Sequence, residues 1–401
     1  MPRVGNSLSI HFSDGTPCVA WTRASVRESF IDPLNAYSFR VEPPQGQLAL
    51  YRAKLKRGEP ISIRVDGNPL ASPLIQTVTT TIGSGGSALD VDCASALCTP
   101  YDGSCDPEYT RSWDNDVSVD EVVLGILSLY GFDGLQGDAS AHVNALTGKG
   151  IKGRAAALNI RALKLRDIQA QEGEAAYQIC SRIFNRLGGA LHVDYTGELL
   201  LRKPDYDQQA AYSLVQDADQ STPGNRFLSD PGITLRQSNE GLYSEVVVRG
   251  ASVDGKGKTQ TGQPMARVAV EGATRPTDAP FAKAVSTTVP AGNSAYSSTT
   301  APYKPRYVLD KDCRDDERCR NAATLIHGSR AAQAYWLQGT VDGLVSHTGR
   351  VWAPDTVARV YVAALDMDEE MWILDRSFEV DDKGERTSLR LIEKGALTLG
   401  I

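Results

Sequence analysis

The spacing closest to a phosphate-binding loop is Gly250-Ala-Ser-Val-Asp-Gly255-Lys256, which follows the apolar run Glu245-Val-Val-Val248. Glycine, four residues, glycine and lysine is the arrangement whose backbone amides and ammonium cradle a nucleotide. The next residue, however, is Gly257, so the hydroxyl that would ligate magnesium is missing. The following Lys-Thr-Gln-Thr-Gly-Gln-Pro is a poor helix former and offers no helix terminus to an anion. The segment reads as a hairpin loop.

The five histidines, His11, His142, His192, His327 and His347, are scattered, with no pair at helical spacing for zinc. His192 alternates with Leu191 and Val193 and reads as an ordinary strand residue. No Gly-x-Ser-x-Gly elbow occurs, and 49 acidic residues do not single out a glycosidase pair. The sequence therefore nominates no catalytic, cofactor-binding or metal-binding residue, and an enzyme is not expected.

Seven cysteines remain: Cys18, Cys93, Cys98, Cys105, Cys180, Cys313 and Cys319. Cys180 lies on the apolar stripe of a helix and reads as a small buried hydrophobe. Cys93, Cys98 and Cys105 are assigned to one loop, and Cys313 and Cys319 are six residues apart. Neither spacing is the Cys-x-x-Cys of a zinc ribbon or redox motif. Loop disulfides and free thiols both stay open, and the odd total leaves at least one cysteine unpaired within the chain.

The elements that would carry these residues are mostly strands. Ile61, Ile63 and Val65 alternate, with Asp66-Gly67-Asn68-Pro69 as a turn. Near the other end, residues 357–362, 371–374 and 389–392 are short apolar or alternating runs, and Asp382-Lys383-Gly384 separates the last two as a hairpin would. Two β-rich regions thus bracket the chain.

Helical material lies between them. Ser118 and Glu121 form a capping box ahead of Val122, Ile126 and Leu129. A second helix covers about 172–187, with a stripe of Ala176, Ile179, Cys180, Ile183, Phe184 and Leu187 ended by Gly188-Gly189. Residues 190–202 follow as a hairpin turning near Gly197. A third helix is expected within 312–336 on Ala322, Leu325, Ile326, Ala332 and Trp336. Two stretches read as loops or insertions: Gly83-Ser-Gly-Gly-Ser87 running on to about Asn115, and the Pro, Ser and Thr-rich 271–305. No short solenoid-type repeat is present.

The chain has 401 residues, a prior of two to three domains, and 41% apolar residues, a globular composition. No apolar run approaches the ~20 residues of a membrane span. The first ten residues lack a secretory signal, so a cytoplasmic origin is expected. With 42 basic against 49 acidic residues the net charge is −7, contrary to a protein that grips nucleic acid through phosphates.

Taken in order, several segments resemble the baseplate hub proteins of contractile-tailed phages, the family of the Mu-like tail hub and the late-control protein. They are Ile61-Ser-Ile-Arg-Val-Asp-Gly67; the helix from Glu172 to Gly188 with its hairpin to Pro204; Tyr243-Ser-Glu-Val-Val-Val-Arg-Gly250; and Val351-Trp-Ala-Pro-Asp355, Ile373-Leu-Asp-Arg-Ser-Phe378 and Leu389-Arg-Leu-Ile392. The resemblance implies a mainly β fold with an α+β insertion: two tube-like β-barrel domains per chain plus a helix-hairpin domain. The corresponding limits are 1–115 for the first barrel, 116–205 for the helix and hairpin, 206–270 for return strands, 271–305 for a loop, and 306–401 for the second barrel with a long helix.

The resemblance further implies a homotrimer whose six barrels adapt a six-fold tail tube to a three-fold central spike, leaving a channel for DNA. Its implied partners are the tail tube protein or distal tube initiator, the central spike protein, and wedge and tape-measure proteins, in a virion assembled in the host cytoplasm. The chain stops at Ile401 without a repetitive β-helix, so a separate spike is expected. A ring carrying three times −7 could repel phosphates from an acidic lumen. After lysis the particle meets an oxidising medium, where Cys313 with Cys319, or two of Cys93, Cys98 and Cys105, are candidate disulfides. The alternatives are a hub-associated cell-wall hydrolase, the spike base of an injection or secretion system, and a carbohydrate-binding β-protein.

Overall fold

The computed structural model describes residues 7–105, 119–132, 170–253, 259–270, 285–289 and 303–397, apart from 85, 187–189, 195–196, 198, 203, 218–221, 239, 311–312 and 314–315. Its first part contains β1 (Leu8–His11), β2 (Trp21–Ser29), β3 (Ala36–Val41), helix α1 (Leu48–Lys54), β4 (Ser62–Val65), β5 (Asn68–Ala71), β6 (Leu74–Gly83) and β7 (Gly86–Ala94). Strand β2 pairs with β3, β3 with β7 and β7 with β6, all antiparallel. The start of β6 then bonds the residues entering β4, with Ile61 N–H donating to Pro73 O at 3.0 Å and Ile75 N–H to Glu59 O at 3.0 Å. Strand β4 pairs with β1, and Cys18 N–H donates to Ile10 O at 2.8 Å just before β2 begins. The hydrogen-bonded circuit of six strands therefore returns to its start.

Side chains alternate along these strands, so one face of each is apolar and fills the ring. Ile10, Val26, Phe39, Val41, Ile63, Val65, Leu89 and Val91 meet there in one core. The β4–β5 turn is built by Asp66 and Gly67, at φ 50° and 79°, the pair of left-handed residues a two-residue hairpin of this twist requires.

A small mixed unit follows: α2 (Cys98–Asp102), α3 (Val119–Ser128), α4 (Ala176–Arg186) and the hairpin β8 (Ala190–Val193) with β9 (Leu199–Arg202). It has its own core of Leu97, Val122, Val123, Ile126, Leu127, Ile179, Leu191 and Leu199. The helix and hairpin expected at 172–202 are present, and Gly197 at φ 92° makes the turn. Helix α3 extends and shortens the expected stripe: Val122 and Ile126 are buried as expected and Val123 and Leu127 join them, whereas Leu129 is exposed because it follows Ser128, the last residue of the helix. Ser118, Ile183, Phe184, Leu187 and the Gly188-Gly189 stop lie outside the residues or side chains described.

The rest comprises β10 (Tyr212–Gln216), β11 (Asn225–Arg226), β12 (Thr234–Gln237), β13 (Glu245–Val253), β14 (Thr259–Val270), β15 (Val285–Val289), β16 (Pro305–Leu309), α5 (Asp316–Ala334), β17 (Tyr335–Asp342), β18 (Thr356–Val362), β19 (Met367–Asp381) and β20 (Gly384–Glu393). Strand β10 runs parallel to β18; β18, β19, β20 and β17 follow as antiparallel neighbours. The ring closes at Phe227, which bridges Val341 of β17, while Leu228 N–H donates to Thr340 O at 2.7 Å. Phe227 directly follows β11, which lies parallel to β10. A second six-stranded circuit results, and its closing ring sits on Gly339, where a Cβ would meet Phe227 at 2.4 Å.

Strands β13 to β16 form a separate four-stranded sheet covered by α5. Strands β13 and β14 pair antiparallel up to Val253 and Thr259, and the loop expected at 254–258 lies outside the described residues. Gly250 sits at a bulge where an added Cβ would lie 2.0 Å from Cys313 O. Two expected loops need correction. Gly83 of β6 pairs with Gly86 of β7, two strands whose alternation was hidden among polar residues, and β15 lies inside the stretch read as a loop. Helix α5 also turns a different face inward: Cys319, Ala323 and Gly328 are buried, Ala322 and Leu325 only half so, and Trp336 already belongs to β17. Among the described residues no helix is long and apolar enough to cross a membrane.

Two predictions follow from closure of the second ring. Gly339→Ala forces the Phe227 ring out of place and should cost about 1–3 kcal/mol in urea unfolding. In the strap between β10 and β11, Asp217 accepts Thr222 N–H at 2.9 Å and pairs with Arg226, which together hold its pKa at about 2, below the ordinary 3.8. A depressed folded pKa stabilises above the unfolded value and is lost as pH falls through the folded one. Asp217→Asn should thus lower Tm at pH 7 and flatten the decline of Tm between pH 4 and 2 in calorimetry.

Candidate assembly surface

The two rings are joined by one line of hydrogen bonds. Residues 24–29 of β2 pair antiparallel with 375–380 of β19, so four strands of the first circuit continue into the six of the second. These ten with β12 make one eleven-stranded sheet, while β1, β4 and β5 form a separate sheet. On the inward side Val26 faces Phe378 and Ala24 faces Val380, as apolar alternation requires. The next inward pair is Glu28 and Arg376, a carboxylate and a guanidinium with Arg376 only 1% exposed. Arg376 also donates to the Trp352 carbonyl and lies 4.2 Å from the Phe378 ring centroid. Tyr37 donates its hydroxyl to Glu28 at 3.4 Å, and burial, then the Glu28 charge, raise that phenol well above its ordinary range. A charge in this position is tolerated only because it is paired and bonded on several sides.

The outward face of the same strands is polar and its charges form columns. Arg23 and Arg40 meet Asp90 at 3.0 and 3.2 Å on the first ring. Across the seam Arg386 meets Asp381 at 2.7 Å and Glu379 at 3.6 Å, and Arg390 reaches Asp375 at 3.8 Å. Burial pushes the Asp375 carboxyl up, whereas the Lys383 backbone N–H, helped by Arg386, pulls Asp381 down. A groove of about 330 Å³ crosses the seam between Arg23, Ser38, Asp90 and Glu379. Acidic and basic columns answer one another along the face, so it presents neither an uncompensated basic strip for phosphates nor a purely acidic one.

Trp372 and Leu374 alternate with the inward Met371 and Ile373 and so pack outside the ring, and a bulge between Ile373 and Asp375 follows. Trp372 stacks edge-on against Phe30 at 4.9 Å and Tyr206 at 5.4 Å, and Phe30 touches His192 of the hairpin at 5.3 Å. Asp355, at φ 61°, accepts from Trp372 Nε1 at 3.2 Å and from Asp205 N–H at 3.0 Å. This cluster fixes the helix-hairpin unit against both rings. His192 is a packing residue, as its alternation implied.

All seven cysteines are buried free thiols in this structure. Cys93, Cys98 and Cys105 do not share a loop: Cys93 lies on β7 inside the first ring, Cys98 opens α2 and accepts Gln76 Nε2 at 3.0 Å, and Cys105 belongs to the small core with Cys180. Cys313 and Cys319 lie together beneath the β13–β14 sheet, where Cys313 donates to Asp310 Oδ2 at 3.2 Å and Cys319 to Pro264 O at 3.4 Å. Burial pushes the Cys18 thiol up to about 12. Among the described residues no three His, Cys, Asp or Glu side chains are grouped to hold a metal ion.

No family model matches the sequence, and no curated protein matches it. Solved structures do. A tail protein from Neisseria meningitidis MC58 aligns with a TM-score of 0.69 at 17% identity, covering 99% of both chains. The 43 kDa tail protein of prophage MuSo2 from Shewanella oneidensis aligns at 0.68 and 14% identity over 97% of this chain and 99% of that one. The chain has the fold of phage tail proteins. Prophage tail protein gp18 from Listeria monocytogenes aligns at 0.52 and 8% identity over 97% of this chain and 95% of that one. The tail-protein fold thus spans both rings, the seam and the helix-hairpin unit.

Sequence reasoning missed Glu28 and Arg376. The signal was a charge at an inward position: Arg376 stands between Ile373 and Phe378 in a run otherwise alternating towards the core. Arg376→Met leaves the half-buried Glu28 without its cation and should lower stability in urea unfolding by about 1–3 kcal/mol, less than a fully buried pair because Glu28 keeps some contact with water. The double variant Arg376→Met, Glu28→Gln should lose less than the sum of the two single changes, which a double-mutant cycle measures.

Proposed function

We propose that this chain is the structural hub of a contractile-tail baseplate, a non-enzymatic homotrimer that adapts a six-fold tail tube to a three-fold central spike. The observation that carries this reading is the pair of six-stranded circuits, each returning to its start through backbone hydrogen bonds, joined by the β2–β19 seam. Three such chains offer six barrel positions, so a three-fold ring can meet a six-fold neighbour while each interface repeats by symmetry. In this reading the first barrel occupies 1–115, the helix-hairpin unit 116–205, and the second barrel 306–401, completed by β10 and β11 from the joining segment. The full-length fold match to tail proteins supports it.

The proposed partners are the tail tube protein or distal tube initiator on one face, the spike on the other, and wedge and tape-measure proteins at the rim. Assembly takes place in the host cytoplasm and the product resides in the virion. The charge-paired outer face of the seam suits a channel wall that lets DNA slide, since a neutralised surface releases no counterions on contact. Cys313 and Cys319, free thiols in this structure, belong to this proposal as a pair that the oxidising medium outside the cell would close into a disulfide after release.

Light scattering on the purified chain should give three times the 43.2 kDa protomer. A monomer at all concentrations contradicts the hub reading, and a clear band of peptidoglycan lysis in zymography favours the hydrolase instead.

A further inference from the structure

Strand β6 leaves the first ring with an open flank. Its inner residues Leu74 and Ile75 bond the chain entering β4, but from residue 77 to 83 no described strand pairs with its second edge. In a sheet, every second residue of such an edge points its N–H and C=O away from the paired neighbour. Exposed edges are ordinarily guarded by charges, proline or short length. This one is Thr77-Val-Thr-Thr-Thr-Ile82-Gly83, uncharged, β-branched almost throughout and free of proline, with Ile82 74% exposed at its tip. Beside it runs an open groove of about 670 Å³, walled by Arg52, Lys56 and Arg57 on one side and Val78 and Thr80 on the other. An edge without protection beside three exposed cations is complementary to an acidic strand.

The chain itself contains one. The β18–β19 hairpin turns at 363–366, and β20 joins β19 only from Met371 onward, so residues 367–370 have one edge that no described strand pairs. That end carries Asp366, Asp368 and Glu370, all exposed, and Leu365 at its tip is 45% exposed. Arg359 and Lys394 engage two of these acids at 2.8 Å without cancelling the excess of negative charge.

We propose that the acidic edge at 367–370 of one copy adds as a strand to the basic-flanked edge at 77–83 of the next. The contact is heterologous, second barrel to first barrel, and a rotation that closes it makes a ring rather than a filament. Backbone hydrogen bonds supply the attachment and the charges set the register and the partner. This inference rests on the trimeric reading and names the surfaces that build it.

The test uses charge reversal in the full-length chain, at exposed positions whose side chains do not support the core. Lys56→Glu with Arg57→Glu, or Asp366→Lys with Glu370→Lys, should each reduce the light-scattering mass from three chains to one. The chain carrying all four changes should regain the trimer. Hydrogen exchange of amides 77–83 should be at least tenfold slower in the wild-type ring than in either reversed pair. Reversed variants that stay trimeric, or loss without recovery in the combined variant, overturn the edge contact while leaving the trimer standing. A wild-type chain that is monomeric overturns both.

Discussion

One ion pair, a buried arginine and a half-buried glutamate, stands at the seam where the two rings are joined. Glu28 and Arg376 are opposite each other on β2 and β19, one strand from each circuit, and they occupy inward positions that alternation reserves for apolar side chains. A salt bridge in such a place is not a cheap source of stability, because two ions lose their water. Its physical effect is selective. A register slip of one residue along the seam would turn both charges and their apolar neighbours to the wrong face, and a slip of two would leave Arg376 facing Val26 in the core. The pair therefore specifies how the barrels are aligned, and the Trp352 carbonyl and Tyr37 hydroxyl consolidate that alignment from above and beside.

From that alignment the other features follow in order. With the seam fixed, β19 must serve β18 and β20 as well as β2, and the bulge after Ile373 lets it change neighbours. Just before the bulge, strand alternation turns Trp372 outward to meet Phe30 and Tyr206, which tethers the helix-hairpin unit. The outer face inherits the strand register and so places arginines of one strand against acids of the next. Exposed pairs of this kind contribute little stability each, but they leave a broad sheet face electrically self-contained.

Much of the first level was readable from residues. Alternation located β4, the closing strands β18 to β20 and their turns, the helix at 172–187 and the hairpin after it, because each has a local period that tertiary contacts merely confirm. What failed were stretches whose partner lies far away. Strand β7 is flanked by glycines and carries Asp90 and Asp92 outward, so it looks polar until β3 covers its other face; β15 gains its pairing only from β14. Helix α5 shows the same limit. It packs a face of small residues against a sheet, where size rather than hydropathy decides the fit. The closure of each ring, through residues 59–61 and 17–18 in the first and Phe227 in the second, rests on single bridges that have no sequence period at all.

The proposed hub rests on one polypeptide supplying two rings in a fixed relation, which would let a threefold assembly imitate sixfold geometry. Electron-microscope images of the purified assembly, averaged without imposed symmetry and viewed down the axis, test this most directly. The account predicts six similar lobes around a central hole with true threefold repetition. Three lobes, an asymmetric particle, or two lobes per chain in no constant relation would contradict it.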